Sequence, residues 1–486
     1  MAYDLENLEP RGLWKQFKAL SAIPRGSKNE EAAALYVLAE ARRLGLEAKR
    51  DAIGNVVVYK KATPGMEDAV PCVLQGHLDM VCEKNEGTVH DFTRDGIQLV
   101  VDGDFLRARG TTLGADNGIG VAAGLAVMEA TDIPHGPLEF LFTIDEETGL
   151  TGAFNLDGSL VKGRRLLNMD SEEEGALYVG CAGGLDSNVT FTFTPVKPAA
   201  WKAPFRLKVS GLKGGHSGLN IPDGLGNAIK CLARALADFR KPFGMKVATL
   251  EGGSKRNAIP REAFAVFYMD AFRREEFEAA LARLQADLRS EIGKADPGLT
   301  LTLEALDQGP EYAIPGADVE RVVNYLVAAR HGVVSFSPDI AGLVQTSSNL
   351  AIIATGNGVV SVSQNHRSSI ESAKYDVAAG VSALCALAGV EVEHGNGYPG
   401  WKPDMDAALL KVAEKVHQEV FGFAPQVKAI HAGLECGIIG ERCPGMEMIS
   451  FGPNLHGAHS PDERVSIPST GRFWDYLLAM LRAMKA

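Results

Sequence analysis

The sequence lacks several features that identify large classes of protein. No uninterrupted apolar run approaches the roughly 18 residues of a transmembrane helix, and the N-terminal residues carry acids early without an apolar segment of signal-peptide length. No run of Lys and Arg is interleaved with aromatic residues, and acidic residues outnumber basic residues 61 to 49, for a net charge of -12. We therefore expect a cytoplasmic protein whose partners include neither a membrane nor nucleic acid.

Paired cysteine motifs are also absent. The seven cysteines are odd in number, scattered and without a CxxC motif. A disulfide framework or a thiolate zinc site is therefore not expected. The composition, with 46% hydrophobic and 23% charged residues, is that of an ordinary globular protein, and the length of 486 residues predicts two or three domains.

The order of the apolar patterns predicts an α/β fold. Apolar and polar positions alternate at helical spacing over 12–45. Strand-like runs at 55–59, 70–74 and 138–144 then surround a Gly-rich stretch and an apolar helix at 121–130. Strand, helix and strand in succession favour a doubly wound, mostly parallel sheet.

A second pattern, at 188–388, predicts an inserted α+β domain. Strands and helices from about 205 to 292 are followed by a comparable series from 319 to 388, which we interpret as two related β/α layers. The Gly- and Pro-rich stretch 394–403 is typical of a return linker. Residues 1–187 and 389–486 would then form the main domain around this insertion.

Acidic and imidazole side chains follow apolar runs or precede a helix in five segments. These groups are His77, Asp116, Asp145 to Glu147, Asp170, and His456 with His459. Because the carboxyl ends of strands in an open α/β sheet line one crevice, we expect these groups to converge. A crowd of carboxylates repels itself unless cations neutralise it, and mixed imidazole and carboxylate ligands suit Zn²⁺ and similar ions. The sequence therefore predicts a metal site.

Two short motifs indicate roles within that site. His77 and Asp79 suit a metal ligand and the carboxylate that accepts its other ring N–H. In the pair Glu146-Glu147, one member can bind metal while the other takes a proton from a bound water. Alone, either motif is more often a solvated surface pair, so the prediction depends on the five segments together.

Two competing interpretations fit the sequence poorly. The stretch GADNGIG at 114–120 precedes a helix, but it has neither the Rossmann spacing nor the Lys of a P-loop, and its Asp would repel phosphate. Ser217 in KGGHSG is not a nucleophile elbow, because position 219 is Leu.

Six motifs in order resemble the M20 co-catalytic metallopeptidases. They are GHLDMV, GADNGIG, DEETGLTGA, NMDSEEEG, KGGHSG and GAHSPDERVSI, and they span almost the whole chain. The forms DEETGLTGA, NMDSEEEG and HAGLECGIIGER are similar to the aminoacyl-histidine dipeptidase branch. The resemblance implies a catalytic domain that holds two divalent metal ions, with Zn²⁺ expected and Co²⁺ or Mn²⁺ as alternatives, and a smaller inserted lid domain.

The resemblance also implies a role for each metal-site residue. Asp116 would bridge the metals, His77 and Asp170 would complete one site, and Glu147 and His459 the other. Glu146 would be the general base, with Asp79 as the partner of His77. His456 competes with His459, but the form HSPDE favours His459. The chain departs from the wider family in having Gly114-Ala115 before Asp116, where a Gly-Arg-Gly element is usual.

Outside the metal site, the resemblance implies substrate-binding residues. His216 would stabilise the oxyanion, from the same chain or from a partner subunit, and Asn257 and Arg367 would hold the substrate carboxylate. Glu435 is a candidate near the cleft. We expect hydrolysis of dipeptides with a free N-terminus, including Xaa-His peptides such as β-alanyl-histidine, and a homodimer formed through the lid.

Three alternatives stay open. The nearest is another M20 amide hydrolase, a carboxypeptidase or an aminoacylase. A non-catalytic peptide-binding protein is less favoured, because binding needs no Glu146. A nucleotide-binding enzyme is the weakest.

Overall fold

The computed structural model describes residues 4–484, which fold into two compact units. The first unit contains the chain up to Gly180, the segment Trp401–Ala429 and the chain from Leu434 onward. The second unit contains Cys181–Gly400 and the short segment Ile430–Gly433. The second unit is thus an insertion into the chain of the first.

An eight-stranded sheet forms the centre of the first unit. In spatial order its strands are Glu47–Arg50, Val56–Lys60, Leu138–Thr143, Cys72–His77, Arg165–Asn168, Glu447–Ser450, Ala176–Cys181 and Gln426–Ile430. The four strands from Leu138–Thr143 to Glu447–Ser450 pair in parallel. The first two strands pair antiparallel, as does Ala176–Cys181 with Glu447–Ser450. The predicted α/β class is confirmed. The sheet is mixed, with its parallel pairing at the centre, where both faces are buried, and antiparallel pairing on either side.

Helices supply that burial. Those of the first unit are Arg11–Ser21, Glu31–Arg43, Ala115–Glu129, Glu146–Gly149, Thr151–Phe154, Ala408–Phe421, Glu435–Arg442 and Ile467–Ala483. Arg11–Ser21 buries Leu13, Phe17 and Leu20, spaced at three and four residues, whereas Ala115–Glu129 is buried on nearly every side. No helix within residues 4–484 is both long and apolar enough to cross a membrane.

A smaller sheet joins two distant segments of the first unit. Its four strands, in spatial order, are Leu455–His456, Arg464–Ser466, Phe105–Ala108 and Leu99–Asp102. The first two form an antiparallel hairpin, and the second of them pairs with Phe105–Ala108. The hairpin loop at 457–463 therefore projects from a strand that is fixed beside the segment leading to Asp116.

The second unit contains one nine-stranded antiparallel sheet. Eight of its strands follow the order Thr300–Ala305, Ala203–Ser210, Ala263–Met269, Lys246–Gly252, Val344–Gly356, Val359–Ser368, Gly183–Thr192 and Glu391–Tyr398, and Gly332–Phe336 also pairs with Val344–Gly356. The helices Ala228–Phe239, Arg274–Ile292, Gly316–Ala328 and Glu371–Ala388 share one apolar core with the sheet. Because Lys246–Gly252 pairs with Val344–Gly356, the two β/α layers share a single sheet.

Two local predictions differ from the structure. The helical pattern at 12–45 is two helices, separated between Ser21 and Glu31. The return linker predicted at 394–403 begins inside the strand Glu391–Tyr398. That strand lies at an edge of its sheet, where glycine is tolerated better than in a central strand.

Candidate active site

Five chain segments bring polar side chains to one edge of the large sheet in the first unit. His77 ends its strand, Asp116 lies in the first turn of its helix, Glu147 follows the strand Leu138–Thr143, and Asp170 follows Arg165–Asn168. The strands that precede His77, Glu147 and Asp170 are parallel neighbours, so they end at the same edge. His459 reaches the group from the 457–463 loop.

Asp116 lies between two histidines. Its Oδ1 is 3.1 Å from His77 Nε2, and its Oδ2 is 3.2 Å from His459 Nε2. The backbone of Asp116 is extended (φ −79°, ψ 113°) although the residue lies within the first turn of a helix. Each oxygen of one carboxylate therefore faces a different imidazole.

A further carboxylate completes each side. His77 Nε2 lies 3.3 Å from Asp170 Oδ1, and His459 Nε2 lies 3.0 Å from Glu147 Oε2. In the set of His77, Asp116 and Asp170, the ligand atoms lie within 4.8 Å of one another, and the same holds for Asp116, Glu147 and His459. The result is two potential ligand sets that share Asp116.

The chemistry of these side chains fits divalent cations. Within residues 4–484, Glu147 Oε1 is buried and accepts no hydrogen bond, a costly state that a cation would relieve. Hydrogen bonds to Asp116 and Glu147 raise the pKa of His459 to about 11. Burial lowers the pKa of His77, but the charge of Asp170 and hydrogen bonds to neighbouring acids outweigh it and raise that pKa well above its ordinary value. Both shifts have one cause, the negative charge of the acids around the two imidazoles, and the same charge would attract a divalent cation.

Asp79 connects His77 to the turn that carries both glutamates. His77 Nδ1 lies 3.3 Å from Asp79 Oδ1, and the Asp79 carboxylate accepts hydrogen bonds from the backbone N–H groups of Glu146 (3.0 Å) and Glu147 (3.2 Å). The Ser27 hydroxyl donates a further bond of 2.8 Å. Burial opposes ionisation of Asp79, but the hydrogen bond and charge of His77 lower its pKa to about 2. An ionised Asp79 therefore fixes the position of His77 relative to the turn that carries Glu146 and Glu147.

Glu146 lies beside the ligands. A carboxylate oxygen of Glu146 falls within 4.8 Å of potential ligand atoms of His77 and Glu147. Burial raises the pKa of Glu146 well above its ordinary value, in spite of the positive field of His77. A carboxyl group of this kind can hold a proton at neutral pH and release it again.

Glu435 is buried next to the strand Cys72–His77, which contains Gln75. It begins the helix Glu435–Arg442, and its Oε2 accepts hydrogen bonds from Gln75 Nε2 (2.7 Å) and Thr143 Oγ1 (2.6 Å). Within the described chain, its Oε1 is buried without a hydrogen-bond partner. Burial raises the pKa of Glu435 to about 7.

His456 stands apart from these groups. It is exposed, its ring packs edge-on against Phe105 at 5.9 Å, and it joins none of the ligand sets found among residues 4–484. His459 is the histidine that meets Asp116 and Glu147.

In the second unit, His216 has a defined tautomer. It pairs with Ala258 in a two-stranded ladder, and its Nδ1 accepts hydrogen bonds from the N–H groups of Gly218 (3.2 Å) and Leu219 (3.0 Å). Burial, followed by the charge of Arg367, lowers the pKa of His216 to about 4. The ring is therefore neutral at pH 7, and because Nδ1 accepts, the proton is on Nε2. His216 offers a neutral N–H donor.

Arg367 and Asn257 both form hydrogen bonds with Ser217, the residue next to His216. Arg367 is buried, with Nε donating to Ser217 Oγ (3.3 Å) and Nη1 donating to the Tyr398 hydroxyl (3.0 Å). The Ser217 N–H donates to the Asn257 carbonyl (2.8 Å), and Asn257 is exposed. The three residues predicted for the inserted domain therefore form one group within the second unit.

Sequence reasoning missed two buried charged residues of the first unit, Glu463 and Arg25. Both are only 2% exposed and hydrogen-bond to the backbone around Asp116 and Asp79. Glu463 follows the exposed Asp462, and no local pattern separates the two acids. The only available signal was its position four residues after His459.

Comparison with known proteins gives a consistent result. The profile of Peptidase family M20/M25/M40 matches residues 73–483. The chain is 41% identical over 485 residues to the cytosol non-specific dipeptidase of Escherichia coli (strain K12), covering 99% of each chain. It is similar, with a TM-score of 0.93 and 42% identity, to the aminoacylhistidine dipeptidase of Vibrio alginolyticus, covering 99% of this chain and 98% of that one. Aminopeptidase PepT from Bacillus cereus ATCC 10987 shares the fold, with a TM-score of 0.57, 16% identity and coverage of 98% and 99%.

Proposed function

The chain belongs to peptidase family M20/M25/M40, and from this membership we propose that it is a two-metal dipeptidase. The observation that carries the proposal is Asp116, whose two oxygens each face a histidine of a different ligand set. A site for one cation would need no such shared carboxylate.

The proposed substrates are dipeptides with a free N-terminus, Xaa-His peptides among them. The support is the names of two full-length relatives, a cytosol non-specific dipeptidase and an aminoacylhistidine dipeptidase. The word cytosol in the first name, together with the sequence features above, also supports a cytoplasmic location. β-Alanyl-histidine is the test substrate.

We assign the cations to the two ligand sets. His77, Asp116 and Asp170 would hold one, and Asp116, Glu147 and His459 the other. Two imidazoles and three carboxylates suit Zn²⁺, with Co²⁺ and Mn²⁺ as alternatives. When bound, the cations supply Lewis acidity at the scissile carbonyl and acidify the attacking water.

Glu146 carries the proton in this mechanism. Its carboxylate accepts a proton from the attacking water and donates it to the leaving amine. Asp79 orients His77 and, through the backbone amides of Glu146 and Glu147, the turn that bears the base. The burial that raises the pKa of Glu146 is what lets its carboxyl group retain the proton until the amine departs.

The second unit, which we identify with the lid predicted at 188–388, supplies substrate contacts in this proposal. His216 donates its Nε2–H to the oxyanion, from the same chain or from the partner in a homodimer formed through the lid. Arg367 and Asn257 bind the substrate carboxylate, for which a guanidinium offers paired donors. Glu435 in the first unit is assigned to the substrate amino group, because its buried Oε1 accepts no hydrogen bond within residues 4–484.

The deciding experiment is release of free histidine from β-alanyl-histidine by the purified protein. We expect release that a chelator abolishes and added Zn²⁺ restores. A matched assay with an N-acylated dipeptide identifies the substrate class. Cleavage of the N-acylated peptide alone would replace the dipeptidase assignment with an aminoacylase or carboxypeptidase.

A further inference from the structure

The Glu463 carboxylate binds four consecutive backbone amides. Its Oε2 accepts from Leu113 (2.6 Å) and Gly114 (2.9 Å), and its Oε1 accepts from Ala115 (2.7 Å) and Asp116 (3.3 Å). These amides point in one direction because Gly114 adopts a left-handed conformation with φ +69°. The loop that presents Asp116 is thus wrapped around a buried negative charge at the start of its helix.

The same residue fixes the loop of His459. The Glu463 N–H donates to the Ser460 carbonyl (3.0 Å), which closes the turn just after His459. His459 itself adopts a positive φ of 63°. Glu463 therefore joins the loop that carries His459 to the loop that carries Asp116, through its backbone N–H on one side and its carboxylate on the other.

Arg25 performs a comparable task on the other side. Its Nη1 donates to the carbonyls of Leu78 (3.0 Å) and Asp79 (2.9 Å), and its Nη2 donates to the carbonyl of Gly114. The guanidinium therefore joins the turn that follows His77 to the loop that precedes Asp116. None of these bonds involves a ligand atom.

From these contacts we propose that Glu463 and Arg25 are positioning residues, each of which orients Asp116 for one of the two ligand sets. Glu463 aligns Asp116 with His459, and Arg25 aligns Asp116 with His77. A ligand displaced by a fraction of an ångström binds metal more weakly, so each residue controls the affinity of one cation. The inference rests on the proposed two-metal site.

The test is metal content in a double-mutant cycle, which separates a site-specific effect from general loss of stability. Protein is dialysed against buffered Zn²⁺ at a level where the wild type retains two ions. Glu463→Gln replaces one acceptor oxygen by an amide that opposes two backbone N–H groups, and we expect it to retain one ion. Affinity at the lost site should fall by about 10- to 100-fold, the range for groups that support metal ligands.

The backgrounds identify which ion is lost. His459→Ala disrupts the set of Asp116, Glu147 and His459, so adding Glu463→Gln to this variant should remove no further metal. Asp170→Ala disrupts the other set, so adding Glu463→Gln to that variant should remove the remaining ion. Arg25→Lys should show the opposite pattern. Excess Zn²⁺ should restore kcat of Glu463→Gln, with KM for β-alanyl-histidine within about twofold of wild type, because the residue supports a metal ligand and contacts no substrate.

Asp462→Asn is the matched control. It removes a neighbouring charge that is 82% exposed and should retain two ions. If Glu463→Gln does not fold, Glu463→Asp, which keeps the charge on a shorter side chain, takes its place in the same cycle. Two ions bound at wild-type affinity, or equal losses in both backgrounds, would overturn the inference. A wild type that binds fewer than two ions would instead overturn the proposed function.

Discussion

The two units bury ionisable side chains with opposite results. In the first unit, burial raises the pKa of Asp170 to about 6 and that of Glu435 to about 7, so these two acids resist ionisation. In the second unit, burial lowers the pKa of His431 to about 3 and that of His366 to about 4, so histidines there stay neutral. One physical effect, the cost of a charge away from water, acts on both.

The difference shows how each unit meets that cost. The second unit satisfies His366 with neutral partners, since its ring lies between Ser187 Oγ (2.7 Å) and Ser348 Oγ (3.0 Å). The first unit gathers acids around two imidazoles and leaves carboxylate oxygens without hydrogen bonds. Only added positive charge stabilises this crowding of acids, which is why the ligand sets belong to the first unit.

The largest expected effect comes from removing the shared carboxylate. Asp116→Ala takes one ligand from each set and leaves His77 and His459 without their common partner. We expect neither cation to be retained on dialysis and histidine release to fall to background. His456→Ala, which removes an exposed imidazole, should keep both ions. Full metal content in Asp116→Ala would refute the shared-ligand geometry.

Removing the base should lower turnover strongly without disturbing the metals. Glu146→Ala should lower kcat by about 10²–10⁴-fold, the usual range for general acid–base catalysis. Metal content, measured on the same sample, should match the wild type. Loss of metal from this variant would mean that Glu146 and Glu147 have exchanged the roles of base and ligand.

A smaller effect is expected from the neutral donor of the second unit. His216→Ala should lower kcat by about 10²–10³-fold, because losing one oxyanion donor costs about 2.7–4 kcal/mol. Leu219→Ala, which removes an exposed side chain of the same turn and leaves its N–H, is the control. Steady-state kinetics of both variants make the test, and unchanged turnover in His216→Ala would exclude it from the mechanism.

The smallest effect is on stability. A histidine with a pKa near 4 in the folded chain stabilises the fold at pH values above its pKa in the unfolded chain, about 6.5. This contribution is lost as the pH falls towards 4. Between pH 7 and pH 5, we expect the free energy of unfolding to fall by on the order of 1–2 kcal/mol for each such buried histidine.

His366→Gln should make that decline shallower, whereas His456→Gln, at an exposed position, should leave it unchanged. Urea unfolding at both pH values measures the difference. Identical pH dependence in wild type and His366→Gln would show that His366 is not held neutral in the folded chain.

The residues that meet at Asp116 could be predicted because each stands at a boundary that sequence reveals. His77 and Asp170 follow apolar runs, and Asp116 precedes an apolar helix, so sheet topology alone predicts that they meet. Roles for His216 and Arg367 came only from family resemblance, since a loop histidine and a strand arginine have no distinctive pattern. Those roles stay predictions until the variants are measured.

Glu463 and Arg25 could not be predicted for a different reason. The partners of their side chains are backbone N–H and C=O groups, which nearly every residue carries, and those groups lie 53 to 350 positions away in the chain. Likewise, Glu435 reaches Gln75 across 360 positions. Spacing rules describe neighbours on one helix or strand, and they contain no information on such distant contacts.

The close packing of Arg25 also predicts how the chain responds to random mutagenesis. A Cβ atom added at Gly114 or at Gly118 would lie 2.6 Å from Arg25 Nη2. Two residues without any side chain should therefore rank among the least replaceable positions in a variant library selected for activity. Attempts to evolve a different substrate preference would do better to leave this loop constant.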